Sequence, residues 1–383
     1  MREIEISVSS GNHKFMVSTP NGKDTVFDYE PARVDKCLLE LSESVSRVAV
    51  HAHEWEDPID NPASREVLIK LASAGTELFD ALTERLPYGA TGDVADFREL
   101  VKEQIRIAEV MKPGYLCIIP WEMIYLGDQP GEPQTNSFIG SWAIVKRRMH
   151  SAANRDTEDW SVCGTAQRSF AAGLSWKVGR KEDECLTLIE DNYLPSASNH
   201  SEKGIFDEFG VRYDLVDPVD SAEAALVEIN SKTQKSYLSH FNCHGARAED
   251  TRGEGKIKVS NNAIVGHVKL KEVQFQPTST VMLNVCHACQ IDVPYQSIIG
   301  AFASKEIGAV VGPMHKIDDA QSTEFARYFY EALYLDGQAV GEALLRARKK
   351  SLLKDGNPAA LLYTLYGDEK LKLPPLEQKR LGA

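Results

Sequence analysis

A run of apolar and β-favouring residues at positions 279–285, which ends abruptly in Cys286, places the strongest constraint on the fold of this chain. The pattern is typical of a strand whose last residue opens into a loop. A second strand-like run, 236–243, ends in the same way at His244 and Gly245. Two strand ends, one with a thiol and one with an imidazole, predict a single active site.

Strand-like runs alternate with helical periodicity through the second half of the chain. The strand-like runs are 169–174, 211–216, 236–244, 279–285, 307–312 and 361–366, and the helical segments are 182–193, 221–231, 319–334 and 339–353. This alternation predicts an α/β fold with a mostly parallel sheet and helices on both faces. Because sites in such sheets form beyond the carboxyl ends of the strands, we expect His244 and Cys286 to meet there.

The first half of the chain carries shorter elements. Strands are predicted at 3–8 and 14–18 as a meander and again at 115–119 and 141–147, helices at 31–47, 64–86 and 95–112, and a helical turn at 120–123. A polar stretch, 150–167, follows neither period and predicts a boundary near residue 160. We therefore expect two halves, 1–160 and 161–383, with the site in the second half.

Composition excludes several classes of function. The 383 residues are 43% hydrophobic and 26% charged, which is ordinary for a globular protein, and the formal charge of −13 argues against a nucleic-acid-binding surface. The N-terminal residues lack the apolar core of a signal peptide, and no run reaches the ~20 apolar residues of a membrane span. Seven dispersed cysteines suit reduced thiols. We therefore expect a cytoplasmic protein without membrane contact.

A cysteine at a strand end can act as a nucleophile when an imidazole ionises it. Since a free thiol has a pKa of about 8.5, His244 would have to hold or create the Cys286 thiolate at neutral pH. The same imidazole can later protonate a leaving amine. The backbone N–H groups of Gly245 and Cys286 would then form the oxyanion hole. This chemistry requires no metal and no cofactor.

These motifs resemble the CHAT family of caspase-like cysteine peptidases, in the clan of caspases, metacaspases and separases. The resemblance rests on His-Gly at one strand end and Val-Met-Leu-Asn-Val-Cys at the next, and it extends to segments 119–123, 139–147 and 308–313. It covers roughly residues 64–370. The resemblance implies a caspase-like, mostly parallel sheet flanked by helices, preceded by a non-catalytic N-terminal α/β half.

The resemblance also implies a role for each site residue. His244 corresponds to the general base, Gly245 to the oxyanion donor and Cys286 to the nucleophile of a peptidase that forms a thioester acyl-enzyme. The family context implies a regulated prokaryotic protease, often of antiviral defence, whose substrate is a protein and whose sensor or activator is a separate protein. The chain departs from the family after the nucleophile, where His287-Ala-Cys-Gln stands in place of an acidic residue, Thr and Gly.

Acidic residues near the predicted site raise the question of specificity. Asp292, Asp318 and Asp319 either line a pocket that binds a basic side chain of the substrate or cap helices. The related metacaspases cleave after basic residues, but Asn284 stands where an acidic pocket residue is expected. All four residues are candidates for substrate binding.

Other interpretations of the same motif stay open. Cys286 could be a buried structural cysteine. Cys286 and Cys289 could instead form a redox pair or half of a zinc site, with Cys243, His244 or His287 as further ligands. A catalytically silent module that binds a partner in the cleft is the third alternative.

Several residues around the motif have simpler expected roles. We expect Trp121 and Glu122 to be core and cap residues, and His287 and His315 to border the site without a required function. The polar segment 247–264 is predicted to be a mobile flap beside His244 that becomes ordered on activation.

Overall fold

The computed structural model of the chain describes residues 3–9, 14–18, 24–51, 62–83, 98–99, 101–102, 106–111, 119–149, 186–190, 202–211, 213–216, 219–247, 255–260, 263–289, 297–302 and 307–373. The strands within these ranges are β1 (Glu3–Ser9), β2 (Lys14–Ser18), β3 (Asp24–Asp28), β4 (Arg106–Met111), β5 (Ile144–Met149), β6 (Leu186–Glu190), β7 (Asp214–Leu215), β8 (Leu238–Arg247), β9 (Gly255–Lys258), β10 (Ile264–Gly266), β11 (Thr280–Val285), β12 (Ala309–Pro313) and β13 (Tyr363–Gly367).

Helices connect these strands. They are α1 (Pro31–His51), α2 (Pro62–Thr83), α3 (Glu202–Phe209), α4 (Ala222–Thr233), α5 (His267–Leu270), α6 (Ile298–Phe302), α7 (Asp319–Tyr330) and α8 (Val340–Leu353). Short 3₁₀ turns cover Trp121–Met123, Thr135–Ser137, Ile139–Ser141 and Pro358–Leu362, and a π turn, Glu331–Leu335, extends α7. Within the described residues, no helix is both long enough and apolar enough to cross a bilayer.

The strands form one mixed sheet in the order β10-β9-β8-β11-β12-β13-β5-β4-β1-β2-β3, and β6 and β7 pair beside the first part of β8. Strands β7, β6, β8, β11 and β12 run parallel, as do β13, β5, β4 and β1. The two parallel blocks meet where β13 runs antiparallel to β12. Strands β1 to β3 form the predicted antiparallel meander. The predicted α/β fold with a mostly parallel sheet is confirmed.

Two apolar clusters cover the two faces of the sheet. One contains core residues of α1, α2, α4 and α6, and the other contains those of α3, α7 and most of α8. Strand β11 contributes alternately, with Leu283 and Val285 in the first cluster, and Met282 in the second with Cys286 packed against it. Side chains two positions apart share a face of a strand. Cys286 therefore lies on the face that α3 and α7 cover.

The predicted helix at 95–112 is wrong at its C-terminal end, where Arg106–Met111 forms β4. This strand lies between β1 and β5, and its residues Ile107, Ala108 and Glu109 are all fully buried. A strand covered on both faces lacks the alternation of apolar and polar residues that identifies most strands. Of the strand predicted at 115–119, only Ile119 is among the described residues, and the helical turn predicted after it is confirmed.

A second predicted helix, at 182–193, is also wrong, because Leu186–Glu190 forms β6 and pairs with β8. Apolar residues at 185, 186, 188 and 189 match helical spacing as well as they match a short buried strand. The pairing with β8 decides that this segment is a strand. The strand predicted at 169–174 and the boundary segment 150–167 lie outside the described residues.

The predicted flap at 247–264 is wrong over much of its length. Residues 255–258 form β9, which pairs with the end of β8, and β10 pairs with β9 in turn. Ile257, Val259 and Val265 are fully or almost fully buried. This hairpin is not visible in the sequence because the segment is rich in polar residues and only its alternate positions are apolar. Residues 248–254 lie outside the described part of the chain.

A buried ion network joins the two halves of the sequence. Arg147 on β5 forms two contacts with Glu122, of 2.7 and 2.8 Å, and its Nε lies 2.9 Å from Glu109 Oε2. Arg348 on α8 donates to the carbonyl oxygen of Tyr363 at 2.6 Å and lies 3.3 Å from Glu122. The four charged side chains are fully buried. Glu122 is therefore an ion-pair partner rather than a cap, whereas the neighbouring Trp121 is fully buried, as expected of a core residue.

Candidate active site

Strands β8 and β11 bring His244 and Cys286 to the same level of the sheet. The two strands are parallel neighbours, and Cys243 pairs with Val285, so His244 and Cys286 are the next residues in register. Neighbouring strands lie about 4.8 Å apart, and residues in register point to the same face. His244 is exposed and Cys286 is partly buried. The imidazole and the thiol therefore lie on neighbouring strands at the same level and on the same face of the sheet.

Gly245 allows this close approach. A Cβ atom at position 245 would lie 1.9 Å from the carbonyl oxygen of Cys286 and 2.8 Å from Val285 Cγ1. No side chain fits at these distances, so any substitution would push the strand ends apart. The backbone that follows His244 thus lies in direct contact with the backbone of Cys286. The predicted oxyanion donors, the N–H groups of Gly245 and Cys286, belong to these two adjoining segments.

The thiol of Cys286 is held by the loop that follows β12. Its Sγ donates to the carbonyl oxygen of Ile317 at 3.6 Å. Burial raises the pKa of Cys286, and the nearby charge of Asp319 raises it further, while the Ile317 contact and the charge of Lys316 oppose this shift. In this arrangement the thiol is mainly protonated at neutral pH, and its proton is directed towards Ile317.

Asp318 and Asp319 begin helix α7 beside the dyad and have different roles. Asp318 is the N-cap, and its carboxylate accepts from Ala320 N at 3.0 Å and Gln321 N at 3.3 Å. Although the residue as a whole is exposed, the carboxyl of Asp319 lies among protein atoms, and this burial raises its pKa. The charges of Glu202 and Asp318 raise that pKa further, and His244 opposes them. Asp319 is thus close enough to interact electrostatically with both dyad residues.

Asn284 lies two positions before Cys286, on the same face of β11. Its amide donates to Glu202 and, at 3.2 Å, to the carbonyl oxygen of Ser322, while Tyr363 Oη donates to its Oδ1 at 2.7 Å. Its side chain is buried. Asn284 therefore links the strand below the nucleophile to the first residue of α3.

Glu202 is the site residue that the sequence did not reveal. It is fully buried at the start of α3, and its Oε2 lies 3.6 Å from His240 Nε2, which is on the same face of β8 as His244. His240 in turn hydrogen-bonds to Tyr330 on α7. A Ser-Glu pair at the start of a polar helix carries no local signal for such a position. Only the packing of α3 against the sheet brings this carboxylate towards the site.

His287 and His315 border the nucleophile, as expected. His287 has a positive φ of 58°, and its N–H donates to the carbonyl oxygen of His315 at 3.3 Å. The two imidazoles contact edge to face, with ring centroids 4.9 Å apart. These contacts define the turn after Cys286. The N–H of His287 is thus engaged within this turn.

Cys289 faces the core rather than the cleft. Its side chain is fully buried, burial raises its pKa, and its N–H donates to the carbonyl oxygen of Pro313 at 3.0 Å. These features do not favour a redox pair with Cys286. Among the described residues, no group of three or more His, Cys, Asp or Glu side chains is arranged to hold a metal ion. Asp292, the remaining pocket candidate, lies outside the described residues.

The overall architecture matches the caspase-like fold of separase. Two crystal structures of the Saccharomyces cerevisiae separase–securin complex align with 96% of this chain, with TM-scores of 0.57 and 0.51 and sequence identities of 13% and 11%. The aligned region is 30% of the matched chain in both structures. The chain thus has the α/β fold of this class of protein.

The chain is also similar in sequence to a probable protease of Vitiosangium sp. (strain GDMCC 1.1324). The two are 22% identical over 343 residues, which is 81% of this chain and 44% of that protein. The chain therefore spans less than half the length of this curated relative. No protein-family model matches the chain.

Proposed function

We propose that the chain is a cysteine endopeptidase in which His244 and Cys286 form the catalytic dyad. The observation that carries the proposal is the position of the two residues at one level of adjacent parallel strands, on one face of the sheet. The separase-like fold and the similarity to a probable protease support a peptidase. The earlier resemblance to the CHAT family agrees with this activity.

The proposed reaction proceeds through a thioester. His244 takes the proton of Cys286, and the thiolate attacks the carbonyl carbon of the scissile bond to form a C–S bond. The developing oxyanion accepts hydrogen bonds from the N–H groups of Gly245 and Cys286. The C–N bond then breaks as His244 protonates the leaving amine. Water, activated by His244, hydrolyses the thioester and restores the thiol.

The pocket beside the dyad favours a basic residue at the cleaved position. Asp319 supplies a carboxyl group on the α7 side of Cys286, and Glu202, which is fully buried, is linked to the strand below the nucleophile through Asn284. A buried carboxylate that pairs with Arg or Lys forms a strong charge-assisted contact. We include Asn284 in this pocket through its hydrogen bond to Glu202, and Asp318 through its place beside Asp319. Asp292 stays a candidate from the sequence alone.

We further propose that the enzyme rests in a low-activity state. The Cys286 proton is directed to Ile317, and burial raises the thiol pKa, so the thiolate is scarce before activation. The separase structures contain a bound protein, securin. By analogy, a separate sensor or activator protein would regulate this chain in the cytoplasm, in a prokaryotic antiviral-defence setting that the CHAT resemblance suggests.

Peptide-library cleavage with four purified full-length proteins tests the activity. The wild type should cleave a restricted set of peptides, preferentially after Arg or Lys, and Cys286→Ala and His244→Ala should each lower the rate by at least about 10³-fold. Cys289→Ala is the matched control, since it removes a neighbouring thiol and should keep most of the activity. Circular dichroism should show the wild-type fold in both dyad variants.

Peptide mapping with a peptidyl acyloxymethyl ketone makes the test independent of slow turnover. This reagent should label Cys286 in the wild type and nothing in Cys286→Ala. Cleavage that survives Cys286→Ala but not Cys289→Ala would show that Cys289 is the nucleophile and would contradict the proposal. A wild type that neither cleaves nor becomes labelled would favour a catalytically silent binding module.

A further inference from the structure

Two lysines lie on the dyad face of strand β9. In the antiparallel pairing with β8, Lys258 is directly opposite His244 and Lys256 is directly opposite Ala246. Directly opposite residues in an antiparallel pair point to the same face. Ile257, which lies between the lysines, is fully buried on the other face. The side chains of Lys256 and Lys258 therefore share the face that carries His244.

The lysines are on the far side of His244 from the nucleophile. The sheet order β11-β8-β9 sets Cys286, His244 and Lys258 in a row across three neighbouring strands. Neighbouring strands are about 4.8 Å apart, so this row spans roughly 10 Å. Both lysine side chains are partly buried along the sheet, which limits where their ammonium groups can reach.

The charge of the side chains beside the dyad therefore differs between its two sides, negative on one and positive on the other. Asp319, an exposed residue at the start of α7, supplies an acidic group on the side where α3 and α7 cover the sheet, and the fully buried Glu202 is close enough to act on it electrostatically. The β9 side carries Lys256 and Lys258. A peptide lying across the dyad would thus meet negative charge at one end and positive charge at the other.

The proposed reaction determines which end of the substrate meets the lysines. His244 protonates the amine of the leaving fragment, so the residues that follow the scissile bond must pass on the His244 side of the dyad. The residue before the scissile bond carries the carbonyl carbon that Cys286 attacks, so that residue must lie beside Cys286. Continuing beyond His244, the leaving fragment would run over β9, within reach of the lysines.

We propose that Lys258 and Lys256 form the subsites for the leaving fragment and select substrates with Asp or Glu in the first three positions after the scissile bond. This inference rests on the proposed peptidase function. It adds a second requirement to the basic residue expected before the bond. The preferred substrate would be a protein loop in which a basic residue is followed closely by an acidic one.

A set of matched peptides tests the inference. All share one sequence before the scissile bond, and they carry Asp, Asn or Lys at each of the first three positions after it. For the wild-type full-length chain, kcat/KM should be highest for Asp and lowest for Lys. Lys258→Gln or Lys256→Gln should reduce the preference for Asp over Asn by roughly two- to fivefold, the size of a partly exposed ion pair. Lys258→Glu should favour the Lys peptide instead. Raising salt should weaken the wild-type preference.

Two controls isolate the leaving-fragment subsites. A peptidyl coumarin amide has no amino acid after the scissile bond, so the wild type and the lysine variants should hydrolyse it equally. Lys36→Gln, on α1, should leave every preference unchanged. Should Lys258→Glu fail to fold, Lys256→Glu serves as the charge-reversal variant.

The outcomes separate the two proposals. The subsite assignment is overturned if the wild type hydrolyses the coumarin amide but shows no preference for Asp over Lys. It is also overturned if both lysine variants retain the preference. In either case the proposed peptidase activity stands. A wild type that hydrolyses no substrate, the coumarin amide included, and is not labelled at Cys286 by the peptidyl ketone overturns the peptidase and this inference with it.

Discussion

Cys286 shows how the surroundings of one residue set its reactivity. The thiolate is the reactive form of cysteine, and desolvation disfavours it because a buried charge loses its hydration. In this chain burial outweighs the opposing effects of the Ile317 contact and of Lys316, so the pKa of Cys286 is raised. Asp319 adds to the shift, so the acidic pocket that would bind a basic substrate also keeps the unoccupied site less reactive.

The pH dependence of alkylation tests this resting state. A raised pKa means that the folded chain holds a smaller fraction of thiolate than the unfolded chain at any given pH, including pH values below both pKa values. The rate at which iodoacetamide modifies Cys286, followed by peptide mapping, should therefore reach half its maximum at a higher pH in the native protein than in urea. At pH 7.5 the native rate should be the lower of the two.

Substrate binding provides the complementary measurement. A peptide with a basic residue before the scissile bond would neutralise Asp319 and should shift the alkylation profile of Cys286 towards lower pH wherever it leaves the thiol accessible. A native profile that already lies below the unfolded one would mean that His244 holds the thiolate before activation. That result would contradict the proposed low-activity state.

Strand β5 and helix α8 depend on a fully buried group of charges. Burial raises the pKa of Glu109 to about 7, because desolvation outweighs its attraction to Arg147. Glu122 instead has a lowered pKa, despite its desolvation, since it pairs with both Arg147 and Arg348. Glu122 is therefore the anion that compensates two buried guanidinium groups.

Glu122→Gln should destabilise the protein strongly. The substitution keeps the shape of the side chain but leaves Arg147 and Arg348 with too little negative charge, and breaking a buried pair in this way costs about 3–5 kcal/mol. The loss should appear as a lower midpoint of urea unfolding. Glu66→Gln is the matched control, because Glu66 pairs with Lys70 on the surface of α2 and such pairs contribute at most about 1 kcal/mol.

The difference in unfolding midpoint between these two variants measures how much the buried network depends on the charge of Glu122. If both variants unfold at the same urea concentration, the buried charges are compensated by other groups. The dyad should remain intact in Glu122→Gln at low temperature, since Glu122 lies in the 3₁₀ turn Trp121–Met123 and pairs with β5 and α8 rather than with β8 or β11. Peptidyl-ketone labelling of Cys286 at 10 °C would show this.

At the scale of the whole molecule, the sheet continues through both halves of the sequence. Strand β13, near the C-terminus, lies between β12 of the second half and β5 of the first. Lys146 on β5 forms a buried pair with Glu369 at 2.9 Å, just after β13. The site-bearing strands and the first half thus share one core, although a polar segment separates them in sequence.

We therefore predict that fragment 161–383 is insoluble or inactive. Removing β5 would expose an unpaired edge of β13, and Glu369 and Arg348 would lose their partners Lys146 and Glu122. Expression of the fragment, followed by sedimentation and peptide cleavage, measures both properties. Co-expression with fragment 1–160 is the control, and it should restore at least part of the soluble protein. A soluble and active 161–383 alone would make the first half an accessory.

Local patterns in the sequence determined much of this arrangement. Helices α1, α2, α4 and α8 follow from their apolar spacing, and Ser221 caps α4 through a contact with Ala224 N at 3.1 Å. Strand β11 and the part of β8 that leads to His244 follow from short apolar runs, and their parallel pairing follows from the alternation of strands and helices. These features depend on residues that are near one another in the chain, so periodicity records them. The predicted end of β8 at His244 is wrong, because the strand continues to Arg247, where it pairs with β9.

Only the tertiary structure decided the rest. Strands β4 and β6 match helical spacing, and their neighbours in the sheet make them strands. Glu202 reaches Asn284 across 82 residues, Arg348 reaches Glu122 across 226, and Lys258 faces His244 through a hairpin hidden in a polar segment. Such contacts leave no periodic trace because each requires the chain to return from a distance. The charges that surround the dyad are therefore a product of packing, whereas the two apolar runs that lead to His244 and Cys286 are visible in the sequence.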